Sequence, residues 1–178
     1  MEFNLERDVS ILARTPRVLL TLLAGLPEEL SHRDYGPGTW SPHEIVGHLI
    51  HGERTDWVPR ARLILRHGAS VAFEPFDRQG HVALCREKSL AELLELFDSL
   101  RRANLGELRS FSLTPQDLAR GGTHPALGSV TLAQLLCTWV VHDLNHVAQI
   151  CKALAFQHKN EVGPWEAYLS VLAPPNPR

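Results

Sequence analysis

Apolar residues recur at intervals of three and four through most of the chain, and no stretch shows the strict alternation bounded by turn residues that a sheet needs. From Asn4 to Leu26 the positions Leu5, Val9 and Leu12, then Val18, Leu19, Leu22, Leu23 and Leu26, keep helical spacing, interrupted by Thr15-Pro16. Proline has no N–H to donate but suits the first helical position behind a threonine. The pattern therefore predicts a short helix, a break and a second start at Thr15. Pro27 to Gly38 is a connection, ending in the turn chemistry of Tyr35-Gly36-Pro37-Gly38-Thr39. Ser41-Pro42-His43-Glu44 then combines a serine cap, proline at the first helical position and glutamate three after the cap. The helix it opens carries Ile45, Val46, His48, Leu49, Ile50, Trp57, Val58, Leu63, Ile64 and Leu65, and should stop at glycine near His67-Gly68. Pro59 in its interior predicts a kink about one turn earlier, or a local break.

Ala69 to Gly80 reads as a loop. Ser89 caps the next helix, whose inner side is Leu90, Leu93, Leu94, Leu96, Phe97, Leu100, Leu105 and Leu108, with Arg101 and Arg102 expected near the rim. Residues 113–118 read as a short capped turn and 121–129 as an irregular loop. Thr131 opens a long helix to Phe156, and Val162-Gly163-Pro164-Trp165 starts a last short one to about Leu172, beyond which Pro174, Pro175 and Pro177 cannot continue it. The expected fold class is all-α: a four-helix bundle with short additional helices, forming a single domain over residues 1–178.

Composition narrows the function classes. A chain of 178 residues, 44% hydrophobic, can bury one full core. Its formal charge of -2 and pI near 6.5 offer neither a basic footprint for nucleic acid nor a polybasic membrane anchor. No apolar run reaches the ~18 residues of a bilayer span, and Met1 to Asp8 is too charged for a signal peptide, so the expected address is the cytoplasm. Cys85, Cys137 and Cys151 are odd in number and form no C-x-x-C, and read as reduced thiols.

Ten histidines in such a chain are many. His142 and His146, in His142-Asp143-Leu144-Asn145-His146, stand four apart on a helix, which puts their side chains about 40° apart around its axis. That is metal-ligand spacing, and it is equally open to two core histidines hydrogen-bonded to their surroundings. Leu135, Thr138, Trp139, Gln149 and Ala153 share the stripe, which points the imidazoles inward. Two ligands make a poor divalent site, and His48 is the best third: Glu44, Ile45, Gly52 and Thr55 lie on its side of the helix, and Gly52 admits a close approach. His51 reads as a rim residue and His43 as solvated, while His67, His81, His124 and His158 fall at helix ends or in loops. Three neutral imidazoles would take zinc, nickel or a similar ion and leave a position open, the arrangement of a catalytic site.

Two stretches carry a family resemblance: Trp40-Ser41-Pro42-His43-Glu44-Ile45-Val46-Gly47-His48-Leu49, and Trp139 to Ile150 with its two histidines. With the Thr-Pro start near Thr15 and the Val-Gly-Pro-Trp tail at Val162, the chain resembles the DinB/YfiT-like metal-binding four-helix bundles. The resemblance implies metal ligands at His48, His142 and His146. It also implies a range of activities: thiol S-transfer with a low-molecular-weight thiol such as bacillithiol or mycothiol, thiol-dependent isomerisation, metal-dependent hydrolysis, or none known. The leading expectation is a metal-dependent thiol S-transferase acting on small electrophiles. The alternatives are a metal-dependent hydrolase on the same site and a non-catalytic metal-binding stress protein.

An open metal position serves either enzyme, holding a thiolate or lowering the pKa of water. Gln149 is an orienting candidate by helical phase, and Arg54, Arg62 and Arg101 are rim candidates for an anionic thiol. His142-Asp143-x-x-His146 with Glu166 downstream approaches the H-E-x-x-H of zinc proteases, but aspartate is a methylene short and the supporting sheet is absent. Asp143 is better read as a partner for a histidine or arginine of a neighbouring helix, or as a solvated residue. The expected partner is a small-molecule substrate, and a homodimer is compatible with an exposed apolar helix face.

Overall fold

A computed structural model describes residues 4–173; the proline-rich end and the first three residues, on which the expectations of no helix and no signal peptide partly fall, lie outside it. The first helices are α1 (Leu5–Leu12) and α2 (Thr15–Leu23), separated where Thr15-Pro16 predicted, followed by the single turn α3 (Glu28–Ser31). Next come α4 (Pro42–Thr55) and α5 (Trp57–His67). Ser41 caps α4 as expected: the Glu44 N–H donates to Ser41 Oγ at 3.3 Å, and the Ser41 N–H donates to Glu44 Oε2 at 2.9 Å.

The predicted disturbance ahead of Pro59 is a break at Asp56. Pro59 thereby becomes the third residue of α5, where a missing N–H leaves no intrahelical bond unmade. Gly68 ends α5 at φ +59°, a conformation open to glycine. Then follow α6 (Val82–Glu87), α7 (Leu90–Ser110) and α8 (Pro115–Leu118). The long α9 (Leu132–Phe156) is capped by Thr131, whose Oγ1 accepts from the Gln134 N–H at 3.2 Å.

Helices α2, α4 with α5, α7 and α9 form a four-helix bundle, and no described helix is long and apolar enough to cross a membrane. The core is in two parts. One gathers Leu19 and Leu23 of α2, Ile45, Leu49 and Ile50 of α4, Leu93 and Phe97 of α7 and Ile150 of α9. The other gathers Val9 and Leu12 of α1, Trp57, Ala61 and Ile64 of α5, Leu105 and Leu108 of α7 and Leu132, Leu136 and Trp139 of α9.

Two expectations are corrected. Residues 121–129 are not an irregular loop but form, with Val130 and Thr131, a small antiparallel hairpin, β1 (Gly121–His124) paired with β2 (Gly128–Thr131), in register from Gly121↔Thr131 to His124↔Gly128. Nothing local announces it, because its strands are short and glycine-rich. Tertiary contacts hold it: a Cβ at Gly122 would come within 2.7 Å of Ile64, Thr123 Oγ1 donates to the Ala69 carbonyl, and the Phe73 N–H donates to the Thr123 carbonyl. The last helix is two 3-10 segments, Gly163–Tyr168 and Ser170–Leu172.

Candidate metal centre

The structure brings His48 of α4 together with His142 and His146 of α9. The Nε2 atom of His142 lies 3.2 Å from that of His48 and 3.1 Å from that of His146, and one ring nitrogen from each falls within 4.8 Å of the others. Two imidazoles sharing a tetrahedral zinc at ~2.0–2.1 Å would hold their nitrogens about 3.3–3.4 Å apart. The donor set thus fits a single divalent ion. The Nδ1 atoms of His48 and His142 are buried and make no hydrogen bond to the protein.

Burial, then the neighbouring histidines, pushes His48 down to about 2; burial, then His146 and Arg101, pushes His142 down to about 3. Both are neutral at neutral pH, the form that ligates. Unfolded, each titrates near 6.5, so below that pH the unfolded chain binds more protons than the folded one. The contribution of these groups to stability is full above the unfolded value and is lost as pH falls. Metal-free protein should lose stability to urea between about pH 7 and pH 5, with a slope of up to about 1.4 kcal/mol per pH unit for each such histidine, and His48→Gln should flatten the curve. An equal slope in wild type and variant would show that His48 is not held neutral.

An aromatic shell surrounds the rings. Trp40, just ahead of the Ser41 cap, lies 4.7 Å from His48 and 6.3 Å from His146 between ring centroids; Phe76 lies 5.4 Å from His48, and Trp57 meets His142 edge-on at 5.0 Å. Phe76 also covers His51 at 4.9 Å, and Gly80 presses on the His51 ring so closely that a Cβ there would lie 2.3 Å from it. His81 completes the shell, 5.9 Å from His48 and 5.0 Å from Trp40. His81, expected at a helix end or in a loop, is buried, and only the return of the 71–81 loop over α4 brings it to the centre. His51 Nε2 and His81 Nδ1 are both buried without a hydrogen bond to the protein.

Other expectations move. His43 is not solvated: it is buried, its Nε2–H donates to the Lys88 carbonyl at 3.0 Å, and it stacks on His32 at 4.3 Å. The close approach at Gly52 is made by the Trp57 indole, with Nε1 3.2 Å from where a Cβ would stand. The inner stripe of α9 runs through Trp139, Asp143, His146 and Ile150, all buried, with half-buried His142 at its edge; Gln149 is half-buried and Thr138 faces outward.

Asp143 has the arginine partner expected of it, but Arg101 is no rim residue. Its guanidinium is 1% exposed and donates to Asp143 Oδ2 at 2.6 Å and Oδ1 at 3.0 Å, and to Glu53 Oε1 at 2.8 and 3.1 Å. Desolvation holds Glu53 above the usual carboxylate range against the pull of Arg101. Arg62 pairs with Glu107 on the surface, and Arg54 is exposed. The Cys85 thiol, half-buried near Glu44, is pushed up to about 11 and is no nucleophile at neutral pH.

A four-helix bundle with three converging imidazoles between facing helices belongs to the class of histidine-centred metal-binding bundles. The profile of the DinB superfamily matches residues 11–150, and the chain belongs to that superfamily. It is 30% identical over 154 residues, 84% of each chain, to a protein of Bacillus licheniformis whose name provisionally places it among metal-dependent hydrolases. Among solved structures, YfiT from Bacillus subtilis, described as a probable metal-dependent hydrolase with an unusual four-helix bundle topology, superposes with a TM-score of 0.72 at 22% identity, over 89% of this chain and 87% of that one. TT2238, described as a four-helix bundle protein, gives a TM-score of 0.52 at 24% identity, over 81% of this chain and 95% of that one. At these identities the two structures speak for the fold alone.

Proposed function

We propose that this protein is a metal-dependent hydrolase of small molecules, with one divalent ion, zinc or nickel, held by His48, His142 and His146. The observation that carries the reading is the convergence of three ring nitrogens, two pairs at 3.1 and 3.2 Å, on side chains that are buried or half-buried between two helices. The name borne by its Bacillus licheniformis relative points the same way. A divalent ion held by these three imidazoles would supply Lewis acidity to a substrate or water.

The chain's own residues do the rest. Trp40 and Phe76 give the centre apolar walls that thin out bulk water and suit an uncharged or aromatic substrate. His81, whose ring lies 5.9 Å from that of His48, is the side chain proposed to accept the proton that an attacking water would give up. The substrate would be met in the cytoplasm, without nucleic acid or membrane.

Thiol S-transfer would use the same three-histidine site. The rim arginines expected for an anionic thiol are Arg62, engaged with Glu107, and Arg101, buried with Glu53 and Asp143, which leaves Arg54. The test is a panel of activated esters and amides, run beside a chlorinated aromatic with and without thiol, on zinc- and nickel-loaded protein. Metal-dependent ester or amide cleavage without thiol is the expected result. Thiol consumption alone would replace the hydrolase reading with the transferase one, and metal binding with neither activity would leave a non-catalytic metal protein.

A further inference from the structure

The two halves of the apolar core are separated by one polar layer, and that layer joins the helices that carry the histidines. At its centre Arg101 of α7 spends all five N–H donors: Nε on Glu53 Oε1, Nη1 on Asp143 Oδ2 and the Leu12 carbonyl, Nη2 on Glu53 Oε1 and Asp143 Oδ1, at 2.6 to 3.1 Å. Glu53 takes two more donors, Trp139 Nε1 at 3.1 Å and Asn104 Nδ2 at 2.9 Å, and Asn104 also donates to the Glu53 carbonyl at 2.8 Å. The three charged side chains are at most 1% exposed.

An ion network so buried is a weak source of net stability, since apolar residues of similar volume often do as well or better. Its best-attested use is to fix register. Here the elements held in register are those of the histidine centre. Glu53 follows His48 on α4 by five residues, and Asp143 sits between His142 and His146 on α9. Successive helical residues point about 100° apart, so a two-point clamp on Asp143 sets both the rotation and the height of α9 and thereby the direction of its two imidazoles. Helix α7 contributes no histidine to the centre, yet its guanidinium ties α4 to α9.

We propose that the Glu53–Arg101–Asp143 layer is a positioning device for the histidine centre, setting the spacing at which His48 meets His142 and His146. This rests on the metal reading above. Zinc affinity and the visible spectrum of the cobalt(II) form test it in Asp143→Asn, with Arg62→Met, which breaks only the exposed pair with Glu107, as control. Zinc binding should weaken by about 10–100-fold in Asp143→Asn, the range seen when the partners that orient metal ligands are lost, and the cobalt band should shift, with the control unchanged. A purely structural role would lower the unfolding midpoint and leave zinc affinity and cobalt band as in wild type, and that result would overturn the proposal. If Asp143→Asn does not fold, Asn104→Ala, which strips two donors from Glu53, takes its place, with weaker zinc binding supporting the proposal and unchanged binding overturning it. Wild type that binds neither metal would remove the metal reading and this one together, whereas a silent variant beside a loaded wild type removes only this one.

Discussion

His142→Ala, purified without a histidine tag, should retain no divalent metal, while wild type should carry close to one ion per chain. The substitution deletes the imidazole whose Nε2 stands within 3.2 Å of both other donors, so the remaining pair loses its common member. Two imidazoles without a third make a poor site for zinc or nickel. The ring is half-buried and packs edge-on against Trp57, so the metal-free variant should unfold within about 1 kcal/mol of metal-free wild type. The large difference should appear on adding metal. An ion that binds only the folded state stabilises it by about 2.7 kcal/mol when present at a hundred times its Kd. Wild type should gain that increment in a denaturation curve run with zinc, and His142→Ala should gain none. Elemental analysis together with paired unfolding curves checks both parts. Absence of metal from wild type, even after incubation with zinc or nickel, would return the three histidines to the role of core residues and remove the basis of the hydrolase reading.

Arg101→Met should be the most damaging single change in the bundle, lowering stability by about 3–5 kcal/mol in guanidinium unfolding. The methionine fills much of the volume, so the loss is electrostatic. Glu53 and Asp143 would stay buried with opposing partners gone, and the Leu12 carbonyl at the end of α1 would lose its donor. Against the ~5–15 kcal/mol that holds a typical domain together, such a loss is a large fraction. By comparison, Arg62→Met, at a surface pair, should cost less than about 1 kcal/mol. A loss as small as that at Arg101 would mean that the carboxylates find other partners, and the layer could not then be holding the helices in register.

Much of this could be read along the chain because it depends on near neighbours. The cap at Ser41, the stop at Gly68, the break ahead of Pro59 and the cap at Thr131 are each decided within one helical turn, by which backbone groups a side chain can satisfy and which a proline removes. The pair His142 and His146 follows from helical pitch, and the choice of His48 as their partner needed only the inner face of one more helix. The centre was harder to orient. His146 lies in the buried α9 stripe as its spacing predicts, with half-buried His142 at the edge, but the centre of the stripe is Asp143, and an aspartate in an apolar stripe looks like an outward residue until its partner is known.

The sequence by itself determined the long helices, their caps at Ser41, Ser89 and Thr131, and the histidine spacing, since these are contests among residues within a few positions of one another. Only the tertiary structure decided what stands across from them. The burial of Arg101 and His43, the return of His81 to the centre and the glycine-rich hairpin all depend on groups brought from other helices or loops. A buried charge or a short strand is stable only when its partner is in place, and that partner lies 42 residues away for Arg101 and Asp143, a separation that no local pattern encodes.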